Sequence, residues 1–313
     1  MTAQVLVSTR EMDRAEWLLW RRKGIGGSDA SAVAGFNPWR TVLEVFYDKI
    51  NLFPIEIKEQ NERMYWGNLL EDIVAKEFTI RTGLKVRKRN AMLQHPEHSF
   101  MIGDVDREII DKKRGKGILE VKTTDAFNRK EWEGDRIPDH YYIQLQHYLA
   151  VTGYSYGYFA VLIGGNKFIY REIDRDDEFI ESLIKIESEF WQLIENRTPP
   201  EVDSSKSATN VLNSLYPRSV KNEIALPSEA KFLVMQYDKA LQDENDAKKR
   251  KEEAANKLKS MLGENEVGVI GDRKVTWKTS TSSRCDTTAL KAEMPDIYKQ
   301  FLKSSESRRF SVN

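Results

Sequence analysis

The chain has 313 residues, with 49 Lys+Arg against 49 Asp+Glu, so it carries no overall basic field and any nucleic-acid site must come from local segregation of charge. That length supports one large domain plus a smaller one, and the single cysteine, Cys285, excludes an internal disulfide framework and a cysteine-rich zinc site. A reducing cytoplasm is the expected compartment, since no basic, apolar leader opens the chain and no apolar run of about 18 residues offers a membrane span.

Glu11 to Arg22 reads as a helix bearing Trp17, Leu18 and Trp20, broken by Gly24-Ile-Gly-Gly-Ser-Asp. A second helix begins at Ala30 to Ala34 with Ser28 or Asp29 as its N-cap, and a helix start after glycines leaves N–H groups that can bind a phosphate. From Asn61 to Thr82 the spacing of Met64, Leu69, Leu70, Ile73, Val74 and Phe78 predicts an amphipathic helix ended by Gly83. Glu71 sits at or beside its apolar stripe, where an acid needs a partner or a metal.

Three strand-like runs follow: Leu84 to Leu93, Phe100 to Ile110 and Gly117 to Thr123. The last two are joined by Asp111-Lys-Lys-Arg-Gly-Lys as a hairpin. In Ile118-Leu-Glu-Val-Lys122 the two-residue repeat projects Glu120 and Lys122 together and turns Leu119 and Val121 to the core. A carboxylate there can hold a hard divalent cation, and an ammonium two positions on can orient a water or offset phosphate charge. Hairpin pairing brings an aspartate of Gly103-Asp-Val-Asp106 toward Glu120, and Asp104 and Asp106 share the required parity.

Tyr141 to Val151 is an apolar-aromatic helix with Gln144 and Tyr148 on one face. Tyr156 to Ile163 and Lys167 to Ile173 form a hairpin across Gly164-Gly165, and Phe179 to Glu195 is another amphipathic helix. The order describes a mixed α/β domain, a central sheet flanked by helices, over residues 1–203. Residues 204–227 read as a linker with a short helix, and 228–313 as a smaller region with a long charged helix from Ser228 to Leu262, a hairpin at Gly271-Asp272 and a final helix over Leu290 to Leu302. His95, His98, His140 and His147 lack metal-ligand spacing and read as surface or cap residues. The clusters Lys85-Val-Arg-Lys-Arg89 and Lys112-Lys-Arg-Gly-Lys116 can meet DNA phosphates, and Trp39, Trp66 or Trp132 can stack on frayed bases.

Five stretches in order, Arg21-Arg-Lys-Gly-Ile-Gly-Gly-Ser-Asp-Ala, Gly67-Asn-Leu-Leu-Glu71, Gly103-Asp-Val-Asp-Arg, Leu119-Glu-Val-Lys-Thr and Tyr142-Ile-Gln-Leu-Gln-His-Tyr-Leu, resemble the YqaJ-type viral recombinases, relatives of phage lambda exonuclease in the PD-(D/E)XK nuclease superfamily. The resemblance implies that Asp106, Glu120 and the Val121 carbonyl ligate Mg²⁺ or Mn²⁺, one or two ions per site, with Glu71 holding a second cation. It also implies that Lys122 activates or positions water, that Gln144 orients Lys122 or the phosphate, and that Arg21 and Ser28, with Arg22 as the competing arginine and Tyr148 nearby, bind DNA phosphate. Where many relatives carry Pro-Asp-Gly, this chain has Val-Asp-Arg.

The activity so implied is 5′-to-3′ degradation of linear duplex DNA in the cytoplasm of a bacterial host, by a protein that a phage or prophage encodes. It leaves 3′ single-stranded tails for an annealing protein, and a ring-like, trimeric homo-oligomer is implied as well. The competing readings are a flap or branched-DNA endonuclease on the same core, and a non-catalytic recombination scaffold.

Overall fold

Apolar alternation and helical spacing build two compact units, Met1–Leu215 and Tyr216–Asn313. The computed structural model describes residues 3–52 and 61–312. The first unit runs β1 (Gln4–Ser8), α1 (Arg14–Arg21), α2 (Gly27–Val33), α3 (Val42–Lys49), α4 (Glu62–Thr82), β2 (Lys85–Arg87), β3 (Ala91–Gln94), β4 (Ile102–Gly103), β5 (Arg107–Asp111) and β6 (Gly115–Thr124). After a 3₁₀ turn at Ala126–Trp132 come α5 (Asp139–Thr152), β7 (Tyr156–Ile163), β8 (Lys167–Asp174), α6 (Asp177–Asn196) and α7 (Lys206–Leu215).

The main sheet has the order β2-β5-β6-β7-β8. Its pairs are antiparallel except β6 with β7, which α5 joins by a crossover. Both faces are covered. On one, Ile118, Phe159 and Val161 pack with Leu145 and Leu149 of α5; on the other, Leu119, Val121 and Tyr158 pack with Val74, Ala75 and Phe78 of α4. Helix α4 is capped by Asn61 and stopped by Gly83, whose φ of 73° is the left-handed conformation that glycine adopts without strain.

The structure differs from the sequence expectations in several places. Gln4–Ser8, not foreseen as a strand, pairs with β3, so the run Leu84 to Leu93 is divided between β2 of the main sheet and β3 of a second, three-stranded sheet β1-β3-β4. Helix α2 starts earlier than expected, at Gly27 after an N-cap at Gly26, which puts Ser28 and Asp29 inside the first turn. Helix α7, expected in a linker, packs onto the first unit: Ala208 and Val211 are buried against Leu43. Of the apolar stripe of α4, Met64, Leu69 and Ile73 stay about half exposed, and Val74 and Phe78 are the members buried against the sheet.

In the second unit α8 (Ala230–Leu262) is exposed along nearly its whole length, and β9 (Val267–Ile270) and β10 (Arg273–Thr276) form the expected hairpin. Pro295 divides the expected last helix into α9 (Thr287–Glu293) and α10 (Pro295–Gln300), since a proline is accommodated at a helix start but not inside one. Among the described residues no helix is long and apolar enough to cross a membrane.

Helix α2 lies directly on α5 at Gly27: a Cβ there would fall 2.8 Å from Gln144 Cγ and 2.8 Å from the Tyr148 ring. Gly27→Ala is expected to lower stability by about 1–3 kcal/mol through this overlap, read as a fall in the urea midpoint. Gly67→Ala, where a Cβ meets only Thr123 Oγ1 at 3.5 Å, is expected to hold or raise the midpoint because alanine favours the helix.

Candidate active site

Antiparallel pairing of β5 with β6 sets Arg107 opposite Leu119, and so brings the preceding residue, Asp106, beside Glu120 and Val121. The Val121 N–H donates to Asp106 Oδ2 at 2.9 Å. Asp104 turns elsewhere and accepts from Trp17 Nε1 at 2.6 Å. The two aspartates that alternation left equivalent are thus separated by their partners, and Asp106 is the one that joins Glu120.

Glu120 is 1 % exposed, because its face of β6 lies under α5. Its Oε2 accepts from Lys122 Nζ at 2.9 Å and from Gln144 Nε2 at 3.1 Å, while Oε1 is buried without a hydrogen-bond partner among the described residues. Lys122 Nζ also reaches Gln144 Oε1 at 3.5 Å and lies 5.0 Å from the centre of the Tyr141 ring. Tyr148 is a core residue; its hydroxyl accepts from Gln144 Nε2 at 3.4 Å, so it touches the site through Gln144.

Burial first, and the neighbouring Asp106 charge second, push the Glu120 carboxyl up to about 8. Burial disfavours charge on Lys122 too, but the Glu120 and Asp106 carboxylates outweigh it and hold the amine above the ordinary lysine range. Glu71, raised by burial and then by Asp106, is ion-paired to Arg107 at 2.5 Å. Arg107 also holds Asp72, and sequence reasoning had assigned it no role.

The arginine beside Ser28 is Arg21, whose Nη2 donates to Ser28 Oγ at 2.8 Å. Arg22 is directed to Asp48 at 2.8 Å and Asn51 at 3.3 Å. A third arginine, unforeseen because it lies outside the glycine-rich stretch, joins Arg21: both Arg40 and Arg21 donate to buried Asp29, which Lys49 also holds at 2.7 Å. Burial raises the Asp29 carboxyl, but Lys49, Arg21 and Arg40 together hold it well below the usual carboxylate range. The Gly27 contact with Gln144 and Tyr148 places this basic cluster next to the acidic one.

Other candidates separate in the same way. His147 is fully buried rather than on the surface, with Nδ1 2.8 Å from Glu187 and Nε2 2.9 Å from the Ile102 carbonyl. Trp132 is core, whereas Trp39 and Trp66 are at least half exposed. The two basic clusters meet across the sheet, where Arg87, Arg89 and Lys116 surround buried Glu108.

Fold and site together describe a mixed α/β protein with two carboxylates and an ammonium converging on one sheet face. The family model described as the YqaJ-like viral recombinase domain matches residues 16–155. Protein YqaJ of Bacillus subtilis (strain 168) is 44 % identical over 99 % of this chain and 97 % of its own length. Protein R354 of Acanthamoeba polyphaga mimivirus is 27 % identical over 45 % of this chain and 27 % of its own. Among solved structures, an alkaline exonuclease from Laribacter hongkongensis has a TM-score of 0.49 at 18 % identity, covering 64 % of this chain and 97 % of that one. The chain belongs to the YqaJ-like viral recombinase family.

Glu120 carries a proton in the metal-free fold between its ordinary value of 4.5 and about 8. In that window the native state binds more protons than the unfolded chain, so this group makes stability fall as pH rises. Melting temperatures of metal-free protein should therefore decline across the window, and Glu120→Gln should flatten that decline; an unchanged slope in the variant would contradict the assignment.

Proposed function

We propose that the protein is a divalent-cation-dependent deoxyribonuclease that degrades linear duplex DNA from its 5′ ends and leaves 3′ single-stranded tails, the substrate form an annealing protein takes. The observation that carries this reading is the convergence of Asp106, Glu120, Lys122 and Gln144, in which Lys122 and Gln144 satisfy Glu120 Oε2 and leave the buried Oε1 with no partner among the described residues. Burying acids together is unfavourable without a cation to balance them, so the arrangement fits a metal site better than a structural ion pair.

The donor set is oxygen only, from Asp106, Glu120 and the backbone carbonyl of Val121, which suits Mg²⁺ or Mn²⁺ over zinc or copper. A cation bound there would offset charge on the scissile phosphate and lower the pKa of the attacking water. Lys122 holds its proton and so acts as a donor, orienting that water and the phosphate oxygens. Gln144 fixes Lys122 and Glu120 by one hydrogen bond to each. In the net reaction a bond forms from the water oxygen to phosphorus, the bond from phosphorus to O3′ breaks, and the released 3′ oxygen takes up a proton.

Arg21, Ser28 and Arg40 form the pocket for the 5′-terminal phosphate, to which arginines present planar pairs of N–H donors. Of the basic residues around Glu108, Lys116 lies on β6 with Glu120, while Arg87 and Arg89 lie on and just after β2; all three would meet the duplex backbone.

The test is digestion of linear duplexes with 5′-phosphate or 5′-hydroxyl ends beside a covalently closed circle, in Mg²⁺ and in Ca²⁺. The expected result is Mg²⁺-dependent loss of the 5′-phosphorylated linear form alone, and no degradation by Lys122→Ala at an unchanged melting temperature. Cutting of the closed circle would favour a structure-specific endonuclease, and full activity of Lys122→Ala would remove that residue from the mechanism. Combining Arg87→Ala, Arg89→Ala and Lys116→Ala should flatten the dependence of log K on log salt by about 0.9 for each phosphate left without its basic partner.

A further inference from the structure

Along β5 alternation sends Asp106 and Arg107 to opposite faces of the sheet. Arg107 lies opposite Leu119, on the face that packs against α4, and α4 carries Glu71 and Asp72. The Arg107 side chain is only 5 % exposed. Its Nη1 is 2.5 Å from Glu71 Oε1, its Nη2 is 2.5 Å from Asp72 Oδ1, and Nη1 also donates to the Asp106 carbonyl at 2.6 Å. The guanidinium is therefore clamped between helix and strand, one peptide from a proposed cation ligand.

Among the described residues no three Asp, Glu, His or Cys side chains draw together as a metal cage. Asp106 and Glu120 converge, and the third acid that could join them, Glu71, is occupied by Arg107. The charges agree with that division. With Glu120 ionised, as a bound cation would hold it, Asp106, Glu120, Glu71 and Asp72 stand against Lys122, Arg107 and Lys88, which is itself 3.0 Å from Asp72, leaving one net negative charge. A single divalent cation and one phosphodiester bring the total to zero, whereas a second divalent ion would leave it doubly positive.

We propose that Arg107 takes the place of a second cation: the chain holds one divalent ion, between Asp106 and Glu120, and a permanent guanidinium keeps Glu71 out of the ligand set. This rests on the nuclease reading given above. Unlike an ion, the guanidinium neither exchanges nor titrates at working pH. Arg107 acts as a positioning residue, and its effect is on how many ions the site accepts.

Titration with Mn²⁺ tests this, by calorimetry and by the dipolar broadening of the Mn²⁺ resonance that two neighbouring ions produce. It uses the full chain alone and in complex with a duplex whose terminal linkage is a phosphorothioate. One ion per chain is expected in both states, one in Arg107→Lys, and two in Arg107→Ala, where Glu71 and Asp72 are released. Two ions in the wild-type protein, or one in a folded Arg107→Ala, would overturn the inference. If Arg107→Ala does not fold, Glu71→Gln decides: unchanged count and affinity support the inference, and a loss of about tenfold or more in Mn²⁺ affinity refutes it. A wild-type chain that binds no Mn²⁺ would remove the nuclease reading itself, whereas one that binds two leaves that reading intact.

Discussion

The register of β5 against β6 is the constraint on which the candidate site depends. Pairing Arg107 with Leu119 puts the Asp106 carboxylate within reach of the Val121 N–H. A slip of one residue would reverse both faces: Asp106 would turn to α4, and the Arg107 guanidinium would enter the layer that holds Glu120. Only the observed register gathers acids on one face and sets the arginine on the other. The packing enforces it, since Ile118 and Leu119 are fully buried on opposite faces and neither can be exchanged for a charged neighbour without disrupting a core.

Covering both faces has a chemical consequence. A half-solvated sheet would let water stabilise the Glu120 charge; under α5 that carboxyl is driven up to about 8 and depends on Lys122, Gln144 and any bound cation for its charged form. Gln144 is held in turn by Tyr148, a core residue of α5. The same design recurs at Asp29, a fully buried acid on which Lys49, Arg21 and Arg40 converge. There the buried carboxylate holds basic groups in place; at Glu120 a partly buried ammonium and an amide hold the buried carboxylate.

Much of this was legible in the chain because period-two alternation and helical spacing are local. Glu120 with Lys122, Gln144 with Tyr148, and the helix from Asn61 to Gly83 follow from residues close in sequence. What was not legible required partners far along the chain. Asp104 and Asp106 have equal parity, and only Trp17 and Val121 distinguish them. Arg21 and Arg22 are adjacent, and Ser28 and Asp48 claim one each. Arg107 carried no assigned role until the fold set it before Glu71, and His147 read as a surface or cap residue until α6 brought Glu187 onto it. The N-terminal strand escaped notice because its partner, β3, lies about eighty residues away and has no turn joining it to β1.

The glycine at position 27 ties the two clusters together. Any side chain there would overlap Gln144 and Tyr148, so its absence lets α2 rest on α5 with Ser28 one residue from the contact. On the proposed reading, Ser28, which recognises a strand end, rides on α2, and Gln144, which holds Glu120 and Lys122 for hydrolysis of the first linkage, rides on α5 in direct contact with it. The distance from terminal phosphate to scissile phosphate is then set by helix packing rather than by loop motion. An enzyme built this way measures one nucleotide from each new 5′ end and repeats, because every cleavage regenerates the terminus that the arginines bind.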